Sequence, residues 1–85
     1  MTLRRKKHRM PAFVKDALLQ HDVQDDYAAR PAYQRNDYLG WILRAKKETT
    51  RYKRLEHMLR ELQQGGVYMG MQHNASKRTT PKYRP

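Results

Sequence analysis

Four basic side chains near the middle of the chain are the residues best suited to bind an anion or an acidic partner: Arg44, Lys47, Arg51 and Arg54. An arginine fork matches a carboxylate or a phosphate with two parallel hydrogen bonds, whereas a lysine acts as a point charge. If a helix begins near Thr50, Arg51 falls on its apolar side. The apolar residues of that side are Leu55, Met58, Leu59 and Leu62. The role of this inward arginine decides how the whole segment is interpreted.

The position of Arg51 is compatible with two roles. Its stem can pack at the rim of the core while its fork reaches a carboxylate or a helix-end carbonyl, which would join two helices. Asp37, Asp22 and Asp26 are the candidate carboxylates. In the second role, the fork binds an anion or a partner. We favour the structural role, because burying an arginine without a partner costs several kcal/mol.

The outer face of the same helix mixes charges of both signs. Lys53, His57, Arg60 and Glu61 are predicted to face solvent there, and Arg54 lies at the boundary of the apolar side. A helix that reads DNA would present its bases together, without carboxylates among them. The pattern therefore disfavours a DNA-recognition helix.

Catalysis has little support in the motifs of the chain. The four histidines, at positions 8, 21, 57 and 73, lack metal-ligand spacing, and there is no cysteine. Asp25 and Asp26 point in different directions on a helical turn, so the pair does not form an acid–base site by itself. No glycine-rich loop opens a helix to cradle a phosphate. We therefore expect a protein that is not an enzyme, with no catalytic residues, no cofactor and no metal.

Charge separates the middle of the chain from its ends. There are 19 Lys and Arg against 8 Asp and Glu, a net charge of +11. Residues 1–10 and 77–85 hold nine of these bases, whereas residues 11–66 hold ten bases against eight acids, a net of +2. Basic ends suit nucleic acid, but they are equally common as solubilising extensions. The second hypothesis is therefore a nucleic-acid-binding protein that uses the basic tails and the Arg44, Arg51 and Arg54 surface.

Two prolines mark the starts of helices. Pro11 suits the first helical position, where its missing N–H costs nothing, and the apolar spacing after it predicts a helix over residues 10–21. Pro31 begins a longer helix, whose apolar arc of about 200° suggests contact from two sides. Between them, Asp22 is expected to cap a brief helix within residues 22–30.

A fourth helix follows a short polar segment. Thr49 or Thr50 is its expected N-cap, and Gly65-Gly66 should end it, because glycine adopts the left-handed cap conformation. Gly40, inside the third helix, costs about 1 kcal/mol relative to alanine and is typical of close backbone approach by a neighbour. The predicted core residues are Val14, Leu18, Tyr27, Tyr38, Trp41, Ile42, Ala45, Leu55, Met58, Leu59 and Leu62.

These elements predict an all-α fold. It is a small bundle of three main helices plus one short helix, in which the last two helices form an antiparallel hairpin and no strand is needed. The predicted parts are a basic N-terminal tail (residues 1–9), a helical domain (residues 10–66) and a basic, largely disordered C-terminal tail (residues 67–85), whose composition buries little apolar surface. At the start of that tail, residues 67–71 are apolar enough to dock as an extension.

Several residue groups of the chain resemble one known family. In order and spacing they are Trp41-Ile42, Ala45-Lys46-Lys47, Thr50-Arg51, Arg54-Leu55, Leu62 and Gly65, preceded by Pro11, Ala17-Leu18 and Tyr27. Over about residues 10–66 the chain resembles the bacteriocin-protection family, described as YdeI-like or OmpD-associated. The resemblance implies a small all-helical module, often fused behind a β-rich domain in other members. Arg51 and Arg54 are the positions carried over, and Thr49 replaces a glutamate that is common in the family.

The resemblance also implies a bacterial protein linked to protection against bacteriocins or envelope stress, with no established catalytic activity. The leading hypothesis is therefore a non-enzymatic stress or bacteriocin-protection module that acts through protein contacts. Its candidate contact residues are Arg44, Lys47, Arg51 and Arg54. No apolar stretch is long enough to cross a bilayer and no cleavage site follows the N-terminus, so we expect a cytoplasmic location. The partner and the oligomeric state are not predicted.

Overall fold

The computed structural model describes residues 7–72. Its elements in chain order are α1 (Ala12–Gln20), α2 (Gln24–Ala29), α3 (Ala32–Arg44), α4 (Glu48–Gln64), β1 (Val67–Tyr68) and β2 (Met71–Gln72). The predicted three main helices and one short helix are confirmed, but the predicted all-α fold also contains a small two-stranded sheet. Most of the two predicted tails, residues 1–6 and 73–85, lies outside the described residues.

Pro11 and Pro31 are the N-cap residues of α1 and α3. Their carbonyl oxygens accept the first helical hydrogen bonds, 3.0 Å from the N–H of Lys15 and 3.1 Å from the N–H of Arg35. Proline suits a helix start because its fixed φ is helix-compatible and its missing N–H is not needed there. The prediction that these prolines start two helices is therefore right to within one residue, although α1 is shorter at both ends than predicted.

The prediction that Asp22 caps the short helix is wrong. Asp22 lies in the turn after α1 with φ of 55°, a left-handed conformation that aspartate tolerates, and Val23 is the N-cap residue of α2. The side chain of Val23 is fully buried. Burying a valine contributes about 1.5 kcal/mol or more, whereas an aspartate cap contributes about 1 kcal/mol, so burial decides the register of this turn.

The start of α4 also differs from the prediction. The helix begins at Glu48 after the extended residue Lys47, and neither Thr49 nor Thr50 is its N-cap. The N–H of Arg51 donates to the Lys47 carbonyl oxygen at 3.0 Å. Glu48 in the first turn favours this earlier start, because a carboxylate interacts favourably with the positive end of the helix dipole.

The core lies between all four helices, and the contact of α3 with α4 is the most extensive among the described elements. The predicted core residues are buried, except that Trp41 is half-buried. Val23 and Leu39 are buried beside them. None of the helices within residues 7–72 has the length and apolar character needed to cross a bilayer.

A β-hairpin follows α4, although no strand was predicted. The chain leaves α4 through Gly65 and Gly66, which both have positive φ, so the predicted end of this helix agrees with the structure. Val67 pairs with Gln72, and the two residues of the turn between the strands both have positive φ. Positive φ at both central residues is typical of a type I′ turn. Strands of two residues are too short for an alternating pattern, which explains why the sequence did not reveal them.

Candidate functional site

Arg54 lies against the C-terminal end of α3. Its Nη1 donates to the backbone carbonyl of Trp41 at 2.6 Å, and its guanidinium lies 5.3 Å from the centre of the Trp41 ring. The Trp41 carbonyl needs this donor, because the N–H of Ala45 bonds to Ile42 at 3.3 Å instead of continuing the α-helical pattern. Arg54 therefore caps α3 from a neighbouring helix.

Arg51 contacts the same helix end one turn earlier along α4. Its Nη2 donates to the Ala45 carbonyl oxygen at 3.1 Å. Of the two kinds of partner open to Arg51, a helix-end carbonyl is thus the one observed, while Asp37 accepts a hydrogen bond from Tyr68. The Nε of Arg51 is buried and has no hydrogen-bond partner among the described residues.

Arg44 and Lys47 lie in other environments. Arg44 is exposed, and its Nη1 lies close to Gly40, near the ring of His8. Lys47 is exposed immediately before α4. Of the four candidate contact residues, Arg51 lines one of the two pockets described here, and Arg44, Lys47 and Arg54 line neither.

That pocket combines aromatic and charged groups at the start of α4. It has a volume of about 250 Å³, and its lining residues are Phe13, Lys46, Glu48, Arg51 and Tyr52. The rings of Phe13 and Tyr52 meet edge to face with centroids 5.9 Å apart, and Tyr52 remains 46% exposed. Aromatic residues and arginine are enriched at protein interfaces, so an exposed tyrosine on a partly buried phenylalanine beside Arg51 fits a protein-contact site.

A second constellation, missed by the sequence analysis, is buried on the other side of α4. Arg30 is only 4% exposed. Its guanidinium donates to the carbonyl oxygens of Val67 at 2.7 Å and Glu61 at 3.1 Å, and to the side-chain oxygen of Gln34 at 3.3 Å. Arg30 therefore joins the end of α4 to the hairpin. Three oxygen acceptors bind the N–H groups of its buried guanidinium.

The carboxylate of Glu61 holds the same hairpin from inside. Oε1 accepts hydrogen bonds from the Tyr38 hydroxyl at 2.5 Å and the N–H of Met69 at 2.8 Å. Oε2 accepts the N–H of Gly70 at 2.7 Å and pairs with Nε2 of His57 at 2.9 Å. A carboxylate has about four acceptor positions, so that of Glu61 is fully occupied.

Hydrogen bonding controls the ionisation of this pair. Burial would raise the pKa of Glu61, but the hydrogen bonds from Tyr38, Gly70 and Met69 outweigh burial and hold that pKa below its ordinary value. Burial, reinforced by the hydrogen bond to Glu61, raises the pKa of the Tyr38 hydroxyl far above its ordinary value. Tyr38 is therefore a neutral donor and Glu61 a charged acceptor at neutral pH.

The prediction that Glu61 faces solvent is wrong, whereas His57 is partly exposed. Glu61 is 5% exposed, and the side chain of His57 is 35% exposed. The His57 ring also packs edge to face on Trp41, with centroids 5.2 Å apart. Glu61 is covered because the β-hairpin folds back over this part of α4, and His57 is covered in part by Trp41 of α3. A helical wheel of α4 alone shows neither contact. Within residues 7–72, no group of three or more His, Asp or Glu could hold a metal ion.

These features define a small helical module in which arginines on one helix cap the end of another and a buried carboxylate holds the β-hairpin that follows α4. A family model described as "Bacteriocin-protection, YdeI or OmpD-Associated" matches residues 8–65, and the chain belongs to this family. The resemblance predicted from the sequence is confirmed. No curated protein and no solved structure matches the chain. The hairpin lies beyond the matched residues, whereas its anchors Arg30 and Glu61 lie within them.

Proposed function

We propose that this member of the family is a non-enzymatic cytoplasmic module that contributes to bacteriocin protection by contact with a protein partner. The observation that carries the proposal is the exposed ring of Tyr52, which packs on the partly buried Phe13 beside Arg51. Tyr52 offers an apolar anchor, and Arg51, whose Nη2 bonds to the Ala45 carbonyl, offers its guanidinium charge at the pocket to a carboxylate of the partner. The partner that fits is a protein surface with an apolar pocket next to an acidic side chain.

The packing of the helices supports a rigid surface of this kind. The contacts between the two helices run in opposite directions along the chain. Ala45, directly after α3, contacts Arg51, Trp41 contacts Arg54, and Tyr38 contacts Glu61. This order supports the predicted antiparallel hairpin of the two helices. Because both arginines cap α3, the start of α4 is fixed relative to the bundle, and a fixed contact surface loses little entropy on binding.

Site-specific photocrosslinking in bacterial cells tests the proposal. A photoreactive residue at position 52 is expected to give one discrete adduct with a protein. The matched control places the same residue at position 19, because Leu19 is similarly exposed at 51% but lines neither pocket. Adducts of equal yield at both positions would contradict the assignment of the surface.

Survival under bacteriocin exposure tests the biological part of the proposal. Cells that express the chain are expected to survive better than cells that do not. Tyr52→Ala is expected to lose this protection, whereas Leu19→Ala retains it, with both variants checked for unchanged helix content. Full protection by Tyr52→Ala would show that the aromatic surface is not the contact site.

A further inference from the structure

A second groove, away from the pocket at Tyr52, lies where the crossing segment, residues 7–11 before α1, crosses α3. It has a volume of about 590 Å³. Its walls include Lys7 and His8 from the crossing segment and Tyr33, Arg35 and Asn36 from α3, over an apolar floor. Neither the family match nor the proposed function assigns this groove a role.

Two contacts hold the crossing segment on α3. The backbone N–H of His8 donates to the Asn36 side-chain oxygen at 2.8 Å. The His8 ring lies over Gly40, where a Cβ atom would be only 2.8 Å from Nε2. The close approach predicted at Gly40 is therefore that of a side chain, and the missing Cβ lets the imidazole form one wall of the groove.

The groove is positively charged. Lys7 and Arg35 supply the charge, His8 adds an imidazole ring, and within residues 7–72 no carboxylate lines the groove. Arg35 is held in place because its Nε donates to the carbonyl oxygen of Arg30 at 3.1 Å. In the sequence, Lys7 directly follows Arg4-Arg5-Lys6, so the basic wall is the end of a basic run. Closely spaced bases of one sign attract a polyanion.

The groove also offers an aromatic surface. Tyr33 is 46% exposed, and one side of its ring is supported by an edge-to-face contact with Tyr68, with centroids 6.0 Å apart. Leu39 and Tyr27 contribute the apolar floor. An accessible aromatic ring beside bases can stack on a nucleobase while the bases contact the adjoining phosphates.

We propose that this groove binds single-stranded nucleic acid, with an unpaired base against Tyr33 and its phosphates on Lys7, His8 and Arg35. A duplex keeps its bases stacked inside the helix and could use only the charges of the groove. An acidic peptide would likewise satisfy the charges but leave the aromatic ring without a planar partner. The combination of ring and bases therefore selects a single strand.

Fluorescence anisotropy with the full chain and labelled oligo(dT) and oligo(U) of about 12 nucleotides tests the proposal, since single-strand sites span roughly 4–16 nucleotides. Tyr33→Ala is expected to weaken binding about tenfold, because one stacked base is lost. Tyr33→Phe keeps the ring and is expected to bind like the wild type. Leu19→Ala is the control, because Leu19 is 51% exposed but lies outside the groove.

The salt dependence of binding tests the phosphate contacts. Lys7→Ala is expected to reduce the slope of log affinity against log salt concentration by about 0.7, the value for one phosphate of a single strand. Lys15→Ala, at an exposed position outside the groove, is expected to leave the slope unchanged. Gly40→Ala is expected to weaken binding, because the new Cβ displaces the His8 ring.

Three results would overturn the proposal. Unchanged binding by Tyr33→Ala would show that no base stacks on the Tyr33 ring. Equal affinity for a duplex of the same length, or for an acidic polypeptide, would show that charge alone is recognised. Loss of binding only when Arg4, Arg5 and Lys6 are replaced would assign the nucleic acid to the basic run instead of the groove.

Discussion

Arg54 donates a hydrogen bond to the backbone carbonyl of Trp41, and the same guanidinium lies over the indole ring of that residue. The two contacts use different properties of arginine, because a directed N–H satisfies the carbonyl while the delocalised charge faces the ring. A helix end that is buried against another helix needs such a donor. Arg51 and Arg54 therefore stabilise the contact between α3 and α4, whatever else they bind.

Replacement of Arg54 by lysine is expected to lower the free energy of unfolding by about 1 to 2 kcal/mol. A lysine keeps the charge but cannot hold both the carbonyl hydrogen bond and the planar contact with the ring. Arg60→Lys is the matched control, because Arg60 is exposed on the same helix, and its effect is expected to stay within about 0.5 kcal/mol. Urea denaturation measures both. Equal losses at the two positions would contradict the capping role.

Glu61→Gln is expected to lower the free energy of unfolding by about 3 kcal/mol, because it replaces a charged acceptor of four hydrogen bonds inside the protein. The amide group of glutamine would point N–H donors at the N–H groups of Met69 or Gly70. Hydrogen exchange at these two amides is therefore expected to become faster than at the centre of α4. In Glu56→Gln, at an exposed position of the same helix, neither the free energy of unfolding nor the exchange rate of these amides should change appreciably.

Stability is expected to fall in acid, and Glu61 determines the pH range. Because the pKa of Glu61 in the folded protein is below the ordinary value of 4.5, the folded state binds a proton less readily than the unfolded state. The contribution of Glu61 is therefore complete above pH 4.5 and is lost as the pH falls through the folded pKa. Urea denaturation from neutral pH to about pH 3 should show a steeper loss in the wild type than in Glu61→Gln. Parallel curves would contradict this role of Glu61.

The sequence predicts the helices and most of the core because apolar spacing at 3.6 residues per turn is a property of each segment alone. Val14 and Leu18, or Leu55 and Leu59, reveal their common face without knowledge of any neighbour. Pro11 and Pro31 predict the starts of α1 and α3, and Gly65-Gly66 predicts the end of α4, each to within a few residues. The resemblance to the family rests on the same segments.

The buried polar constellation could not be predicted in this way. Glu61 lies beside the apolar stripe of α4, and only the N–H groups of Met69 and Gly70, which follow in the chain, make its burial favourable. Arg30 likewise gains its acceptors from segments far away in sequence. The available signal was the Met69-Gly70 pair between Val67-Tyr68 and Met71, a weak indication of a hairpin turn.

Two glycine substitutions are expected to have opposite effects on stability. Gly70→Ala should lower the free energy of unfolding by about 1 kcal/mol, because φ of 79° is strained for any residue with a Cβ even though nothing lies within 4 Å. Gly40→Ala should raise it by up to about 1 kcal/mol through helix propensity. The atoms that the new Cβ meets, Nε2 of His8 and Nη1 of Arg44, are the ends of side chains that can move aside.

Urea denaturation of the two variants beside the wild type checks both signs. If Gly40→Ala destabilises the protein as much as Gly70→Ala does, the His8 ring cannot move away from α3 to make room for the new Cβ. The segment that carries His8 must then be held on α3 by more than the one backbone hydrogen bond to Asn36. If Gly40→Ala stabilises the fold, weaker nucleic-acid binding by this variant cannot come from unfolding. It then comes from the displaced His8 ring in the wall of the groove. The sign of the stability change in Gly40→Ala thus shows whether the crossing segment is an integral part of the bundle or an adjustable wall of the groove.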